Sequence, residues 1–172
     1  MPVQVKIPAV FEKNKLAAFL ESDGTECVRV KGINNFLVSQ IFDCGQCFRF
    51  DNVEIDPVQG SEYMSEFGGV AFGRYVRFRQ ESPDTLEIYN SSLGDFEKIW
   101  KRYLSLDVDY TAVRKEIAER FDTACHGNNR VMPAAMEFGS GIRILRQDPW
   151  ETICSFIISQ NNNIPRIKKI IA

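Results

Sequence analysis

Apolar and polar positions follow two different periods along the chain. Up to about residue 90 they alternate. Cys47-Phe48-Arg49-Phe50-Asp51 switches side at each step, as in a half-buried strand. Tyr63 to Gln80 carries a central Phe67-Gly68-Gly69-Val70, and Gly-Gly between two strand-like runs predicts a hairpin there. The second arm continues through Tyr75-Val76-Arg77-Phe78-Arg79, with Val76 and Phe78 on one side and Arg77 and Arg79 on the other. Thr85 to Tyr89 follows a Ser82-Pro83-Asp84 turn. Residues from about 26 to 90 therefore predict a twisted antiparallel sheet with one polar face.

From Asp95 the spacing becomes helical. Phe96, Ile99, Trp100, Tyr103 and Leu104 mark one helix, and Tyr110, Val113, Ile117 and Phe121 mark another. A third is expected over 128–138, with Pro133 near its start. Over 148–160 the signals agree best. Asp148 caps, Pro149 suits the first position, Glu151 resembles the partner of a capping box, and Trp150, Ile153, Cys154, Ile157 and Ile158 share a face. Asn161-Asn162-Asn163 ends that helix and starts the next, where Pro165 fits the first turn before Arg166-Ile167-Lys168-Lys169-Ile170-Ile171. The helix has neither a terminating glycine nor a polar tail, so Ala172 reads as a truncation point inside it. An uncovered apolar face on the last two helices would favour self-association. The fold class is α+β, divided into an N-terminal antiparallel-sheet domain with helices (1–125) and the first helices of a second, all-helical domain (126–172).

Composition narrows the function classes. The 172 residues are 44% hydrophobic and 26% charged, a globular balance that excludes disorder. No apolar run reaches the roughly 18 residues that span a bilayer. The first residues, broken by Pro8 and by charges, do not form a secretory signal, so the expected location is cytoplasmic or nuclear. A net charge of -2 argues against a wholly polyanion-binding surface, though not against a local basic patch. Two clusters qualify: Arg74, Arg77 and Arg79, and Arg166, Lys168 and Lys169. The first reads more readily as the solvated face of a strand than as a phosphate-binding strip. The single histidine, His126, has no nearby acid or nucleophile and leaves little scope for a metal site.

Two motifs could carry chemistry. Cys44-Gly45-Gln46-Cys47 could be a redox dithiol or half a zinc site, but no second ligand pair exists and a strand, not a helix, follows. A tight glycine turn flanked by two small thiols is the simpler reading. The asparagine triplet places three amides at one joint. Capping accounts for one or two of them, and a third beside Arg166 is more than capping requires. A cationic fork near a helix start can hold phosphate or read a base edge.

Taken together, Cys44-Gly45-Gln46-Cys47-Phe48-Arg49-Phe50, Tyr103-Leu104-Ser105-Leu106-Asp107, and Gly141-Ile142-Arg143-Ile144-Leu145-Arg146-Gln147-Asp148-Pro149 running on to Phe156-Ile157-Ile158-Ser159-Gln160-Asn161-Asn162-Asn163-Ile164-Pro165-Arg166-Ile167 resemble the N-terminal half of 8-oxoguanine DNA glycosylases. The likeness extends from about residue 25 to the end. It implies an antiparallel-sheet domain leading into a helical glycosylase domain, double-stranded DNA carrying 8-oxoguanine opposite cytosine as partner, and no metal or organic cofactor.

The resemblance also implies site roles. Gly45 matches the glycine whose carbonyl accepts a hydrogen bond from the lesion, which carries hydrogen at N7 where guanine carries a lone pair. Phe48 belongs to the same pocket. Asn161, Asn163 and Arg166 contact DNA, Asn161 entering the space left by the extruded base and Arg166 donating to the orphaned cytosine. The family's nucleophilic lysine and its aspartate lie on a helix-hairpin-helix that has no counterpart in these residues, and neither Lys168 nor Lys169 takes that role. The expectation is a piece of a glycosylase/lyase, inactive alone and weak on DNA. The rival readings are a thiol oxidoreductase using Cys44 and Cys47, and a non-catalytic α+β interaction module.

Overall fold

The computed structural model describes residues 16–21, 23–53, 63–124 and 131–171. Cys125, His126, the expected domain boundary at 125/126 and the first residues of the expected third helix lie outside them. The six strands are β1 (Leu16–Leu20), β2 (Glu26–Lys31), β3 (Phe50–Asn52), β4 (Ser65–Ala71), β5 (Arg74–Ser82) and β6 (Thr85–Tyr89). They form one antiparallel sheet in the order β1-β2-β6-β5-β4-β3. Around the sheet stand α1 (Val38–Phe42), α2 (Leu93–Asp95), a π-helical turn (Phe96–Trp100), α3 (Lys101–Tyr103), α4 (Tyr110–Ala124), α5 (Val131–Phe138), α6 (Pro149–Ser159) and α7 (Ile164–Ile171). This is the expected α+β class.

The alternation fixes the two faces of the sheet. Val28, Val30, Phe67, Val76, Phe78, Leu86 and Ile88 point to the core with Phe42, Phe50, Trp100 and Tyr103. Gln80 is buried among them, and both ends of its amide are used. It donates to the Phe36 carbonyl at 3.0 Å and accepts from the Val38 amide at 2.8 Å. It thereby caps α1, whose own N-cap residue, Leu37, supplies no side-chain bond.

Two sequence expectations are corrected here. Gly68-Gly69 is not the hairpin turn but lies within β4, and the chain reverses at Phe72-Gly73 (φ 51° and 69°). Two left-handed residues in succession match the twist of the flanking strands, with Gly73 adopting that conformation freely and Phe72 against the usual preference of a residue with a side chain. The polar face is also less solvated than expected. Arg77 and Arg79 both donate to Glu66, at 2.9 and 2.7 Å, while Arg29 pairs with Glu87, and Glu66 and Glu87 are buried. Arg74 pairs with Asp95 at 2.9 Å. All three members of the first cluster are thus drawn into internal ion pairs, Arg77 and Arg79 sharing one carboxylate, and do not form a free phosphate-binding strip.

That face also carries a pH-dependent strain. Desolvation, then the neighbouring Glu87 charge, raises the Glu81 pKa above its ordinary 4.5. A raised folded-state value means that the stability linked to this group is present below the unfolded value and is lost as pH rises through the folded one. Glu81→Gln is therefore expected to raise the melting temperature at about pH 7.5 and to leave it unchanged near pH 4. Melting curves across that range check it, and an equal change at both ends would refute it.

The helical expectations hold for α2 to α7 over the described residues, and the apolar face of α6 is uncovered. Trp150, Ile153, Phe156 and Ile157 are exposed, Trp150 by 74%. Among the described residues nothing covers the apolar face that the spacing marks on this helix. No helix of the described residues is long and apolar enough to cross a membrane.

Candidate nucleic-acid interface

The Cys44–Cys47 turn follows α1 directly. Gly45 sits at φ +81°, a left-handed conformation that glycine adopts without cost, and a side chain built on it would meet nothing within 4 Å. Its main chain is therefore both constrained and open to approach. Phe48 is half-buried. Cys47 is buried, and desolvation pushes its thiol up to about 12. A protonated, enclosed thiol is a poor nucleophile, and the chain leads from it into β3 rather than a helix, so a thioredoxin-like couple does not fit. Among the described residues no cluster of three or more His, Cys, Asp or Glu side chains could hold a metal ion.

The second component is the α6–α7 joint. The Asp148 side chain caps α6 by accepting from the Glu151 amide at 3.0 Å, with Pro149 in the first turn, as the spacing predicted. Glu151 does not close the box but turns to Arg49, 3.4 Å away. Asn162 donates to the Ile158 carbonyl at 3.1 Å and accepts from the Asn163 amide at 3.0 Å. Asn163 caps α7 by accepting from the Arg166 amide at 3.1 Å, leaving its NH2 group exposed. Asn161 is left over. It stands at φ 53°, exposed, and among the described residues its amide has no hydrogen-bond partner. The Arg166 guanidinium is likewise exposed and unpaired among them, whereas Lys168 donates to the Phe50 carbonyl at 2.9 Å and to Asp51 at 2.7 Å.

These two components belong to one assembly. Gln46 bonds to the strand-like segment 143–145, which leads into α6. Arg49 reaches Glu151 on α6, and Phe50 and Asp51 hold Lys168 on α7. One eight-residue stretch, 44–51, therefore carries the open glycine turn and anchors both helices that flank the asparagine joint. A groove of about 530 Å3 lies between Arg49, the Phe72-Gly73 turn and the Trp150, Glu151 and Cys154 side of α6. Sequence reasoning assigns no task to Gln46, and Lys168, placed there in the second basic cluster, is instead drawn to Asp51 and the Phe50 carbonyl. Arg143, quoted only as part of a motif, proves to be the buried cation that stitches this region together, donating to the carbonyls of Asn34, Asn35 and Ser105.

Comparisons with known proteins show what the chain is similar to. Residues 30–153 match the family described as 8-oxoguanine DNA glycosylase, N-terminal domain. A stretch of 30 residues is 67% identical to the N-glycosylase/DNA lyase of Saccharomyces cerevisiae (strain ATCC 204508 / S288c), covering 17% of this chain and 8% of that protein. The apo-form crystal structure of Clostridium acetobutylicum 8-oxoguanine glycosylase/lyase is similar with a TM-score of 0.72 at 35% identity, over 90% of this chain and 46% of that one. The same bacterial enzyme in complex with double-stranded DNA containing cytosine opposite 8-oxoguanine gives 0.72 and 35%, over 90% and 45%. The chain thus spans about half the length of these solved relatives.

Proposed function

This chain belongs to the 8-oxoguanine DNA glycosylase family, and we propose that its 172 residues serve base-excision repair by recognising the lesion and filling the gap in the duplex, without supplying the nucleophile. The observation that carries this reading is the division of labour at the joint. Asn162 and Asn163 are spent on capping, whereas Asn161 and Arg166 project with their hydrogen-bonding groups uncommitted.

The chemistry suits the task. Extruding a base costs a few kcal/mol of stacking, roughly what new contacts inside the vacated space must return. Asn161 enters that space. Arg166, a donor-only fork, meets N3 and O2 of the orphaned cytosine, both acceptors, and the Asn163 NH2 supports the neighbouring backbone. At the other component the exposed Gly45 carbonyl accepts the N7–H of 8-oxoguanine and repels the N7 lone pair of guanine, while Phe48 offers an apolar wall. Amine attack on the sugar needs a free lysine near the base. Lys168 is tied to Asp51 and to the β3 backbone.

The test is a titration of the isotope-labelled chain at low salt, where phosphate contacts are strongest, with short duplexes holding 8-oxoguanine or guanine opposite cytosine. Resonance shifts are expected at Gly45, Phe48, Asn161, Asn163 and Arg166, larger for the lesion duplex. Identical shifts with both duplexes, or shifts confined to the Arg29–Glu87 face, would refute the reading. Arg166→Ala is expected to weaken binding by about 1–3 kcal/mol and to erase the preference for cytosine opposite the lesion. Borohydride treatment of the mixture is expected to trap no covalent adduct.

A further inference from the structure

We propose that Gln46 is the positioning residue that aims the Gly45 carbonyl, an inference that rests on the lesion-reading role of that carbonyl. A primary amide offers two donors and an acceptor, and Gln46 uses all of them. Its Nε2 donates to the Ile41 carbonyl at 3.0 Å and to the Arg143 carbonyl at 2.9 Å, and its Oε1 accepts from the Leu145 amide at 2.9 Å. Its own carbonyl accepts from the Gln147 side chain. The glycine it follows has no side chain, and among the described residues no atom lies within 4 Å of where one would begin, so Gly45 supplies no side-chain anchor of its own. Orientation is instead imposed from the next residue.

The partners give that orientation its meaning. Ile41 is the buried residue of α1 that precedes the turn, and Arg143, Leu145 and Gln147 lie on the segment running into Asp148, the cap of α6. Gln46 therefore fixes the glycine turn relative to the helix whose far end carries Asn161. If the Gly45 carbonyl discriminates by the direction of one hydrogen bond, loosening this amide degrades selectivity before it degrades binding, because the cationic and amide contacts at the joint do not pass through it.

Two variants test this. Gln46→Met keeps the length of the side chain and removes its three hydrogen bonds. Gln147→Leu leaves the Gln46 side chain alone and removes the one bond to its carbonyl. Binding of each folded variant to the 8-oxoguanine and guanine duplexes is compared with that of the parent chain, along with the backbone order parameter of Gly45 without DNA. The expected result for Gln46→Met is a Gly45 order parameter falling from about 0.85 to below about 0.6, loss of most of the lesion preference, and undamaged-duplex affinity within about twofold of the parent. Gln147→Leu is expected to fall between the two, and it serves as the test if Gln46→Met does not fold. A Gly45 as ordered as in the parent, or an unchanged lesion preference in a variant whose Gly45 has become mobile, would overturn the proposal. A parent chain with an ordered Gly45 and no lesion preference would instead overturn the reading of the carbonyl, which separates the two failures.

Discussion

Arg143→Met is expected to lower the unfolding free energy by about 3–5 kcal/mol, a large part of the roughly 5–15 kcal/mol that holds a domain folded. Arg143 is only 3% exposed and makes no direct ion pair among the described residues, the Asp107 and Asp109 carboxylates acting on it from a distance. Its guanidinium is neutralised by dipoles. Nε donates to the Asn35 carbonyl at 3.1 Å, Nη2 to Asn34 at 2.7 Å, and Nη1 to Ser105 at 2.6 Å and Val108 at 3.4 Å. The Tyr110 ring lies 4.5 Å away and adds its quadrupole. Burial pulls the pKa down to about 10, which still leaves a cation at neutral pH. A methionine fills much of the same volume but removes every side-chain donor from the part-buried carbonyls of Asn34 and Asn35, an unmet carbonyl costing about 1–3 kcal/mol. The Ser105 carbonyl, on a non-glycine residue held at φ 50° where α3 ends, loses its shorter bond and keeps only the Val108 amide at 3.2 Å. Arg143→Lys is expected to recover only part of the loss, because one ammonium cannot reproduce the guanidinium's fan of bonds to the two loops at 34–35 and 105–108. Urea titration reads the effect as a midpoint lowered by about 2 M for a slope near 2 kcal/mol/M. A loss under about 1 kcal/mol would show that the carbonyls find other donors.

The same residue shows where the sequence stops being legible. The alternating and helical periods revealed most strands and the later helices because each element exposes a repeating face, and repetition is visible in one dimension. Arg143 looks like any arginine between two isoleucines, and its role comes from three loops that meet only in space. Strand β1 was missed because Leu16-Ala17-Ala18-Phe19-Leu20 does not alternate, and α1 because five residues cannot display a helical period. The Gly-Gly pair was misread because a glycine can mark either a reversal or a close approach, and here it marks the approach. At the site, counting amides against caps correctly predicted a surplus asparagine, and Asn161 is that residue. Which side chains hold the turn and the joint in register was not visible, since Gln46 and Lys168 bond mainly to backbone atoms that carry no sequence signature.

The approach at Gly69 leads to the second large effect. Gly69→Ala is expected to cost about 2–4 kcal/mol and to loosen α7, while Gly68→Ala, one residue away, costs less than about 1 kcal/mol. Gly69 pairs with Phe50 on β3 and with Val76 on β5, on the buried face. A Cβ there would lie 2.7 Å from the Phe50 ring and closer still to the Arg49 carbonyl. Neither can yield easily. Phe50 is 1% exposed, its ring lies tilted 4.5 Å from that of Phe42 and 5.7 Å from that of Phe78, and the Arg49 carbonyl is backbone. At Gly68 the nearest atom is the Tyr75 hydroxyl, 2.8 Å away at the end of an exposed side chain that can swing aside. The methyl group at 69 must therefore displace β3, which has only three residues and whose Phe50 carbonyl and Asp51 carboxylate hold Lys168. Amide exchange over 164–171 is expected to quicken in Gly69→Ala and to stay unchanged in Gly68→Ala. Equal costs for the two would mean that the sheet absorbs the extra carbon by bending, with no displacement of β3. Faster exchange confined to β3 and β4 would mean that α7 is held by Ile167, its one buried side chain, and not by the lysine strut.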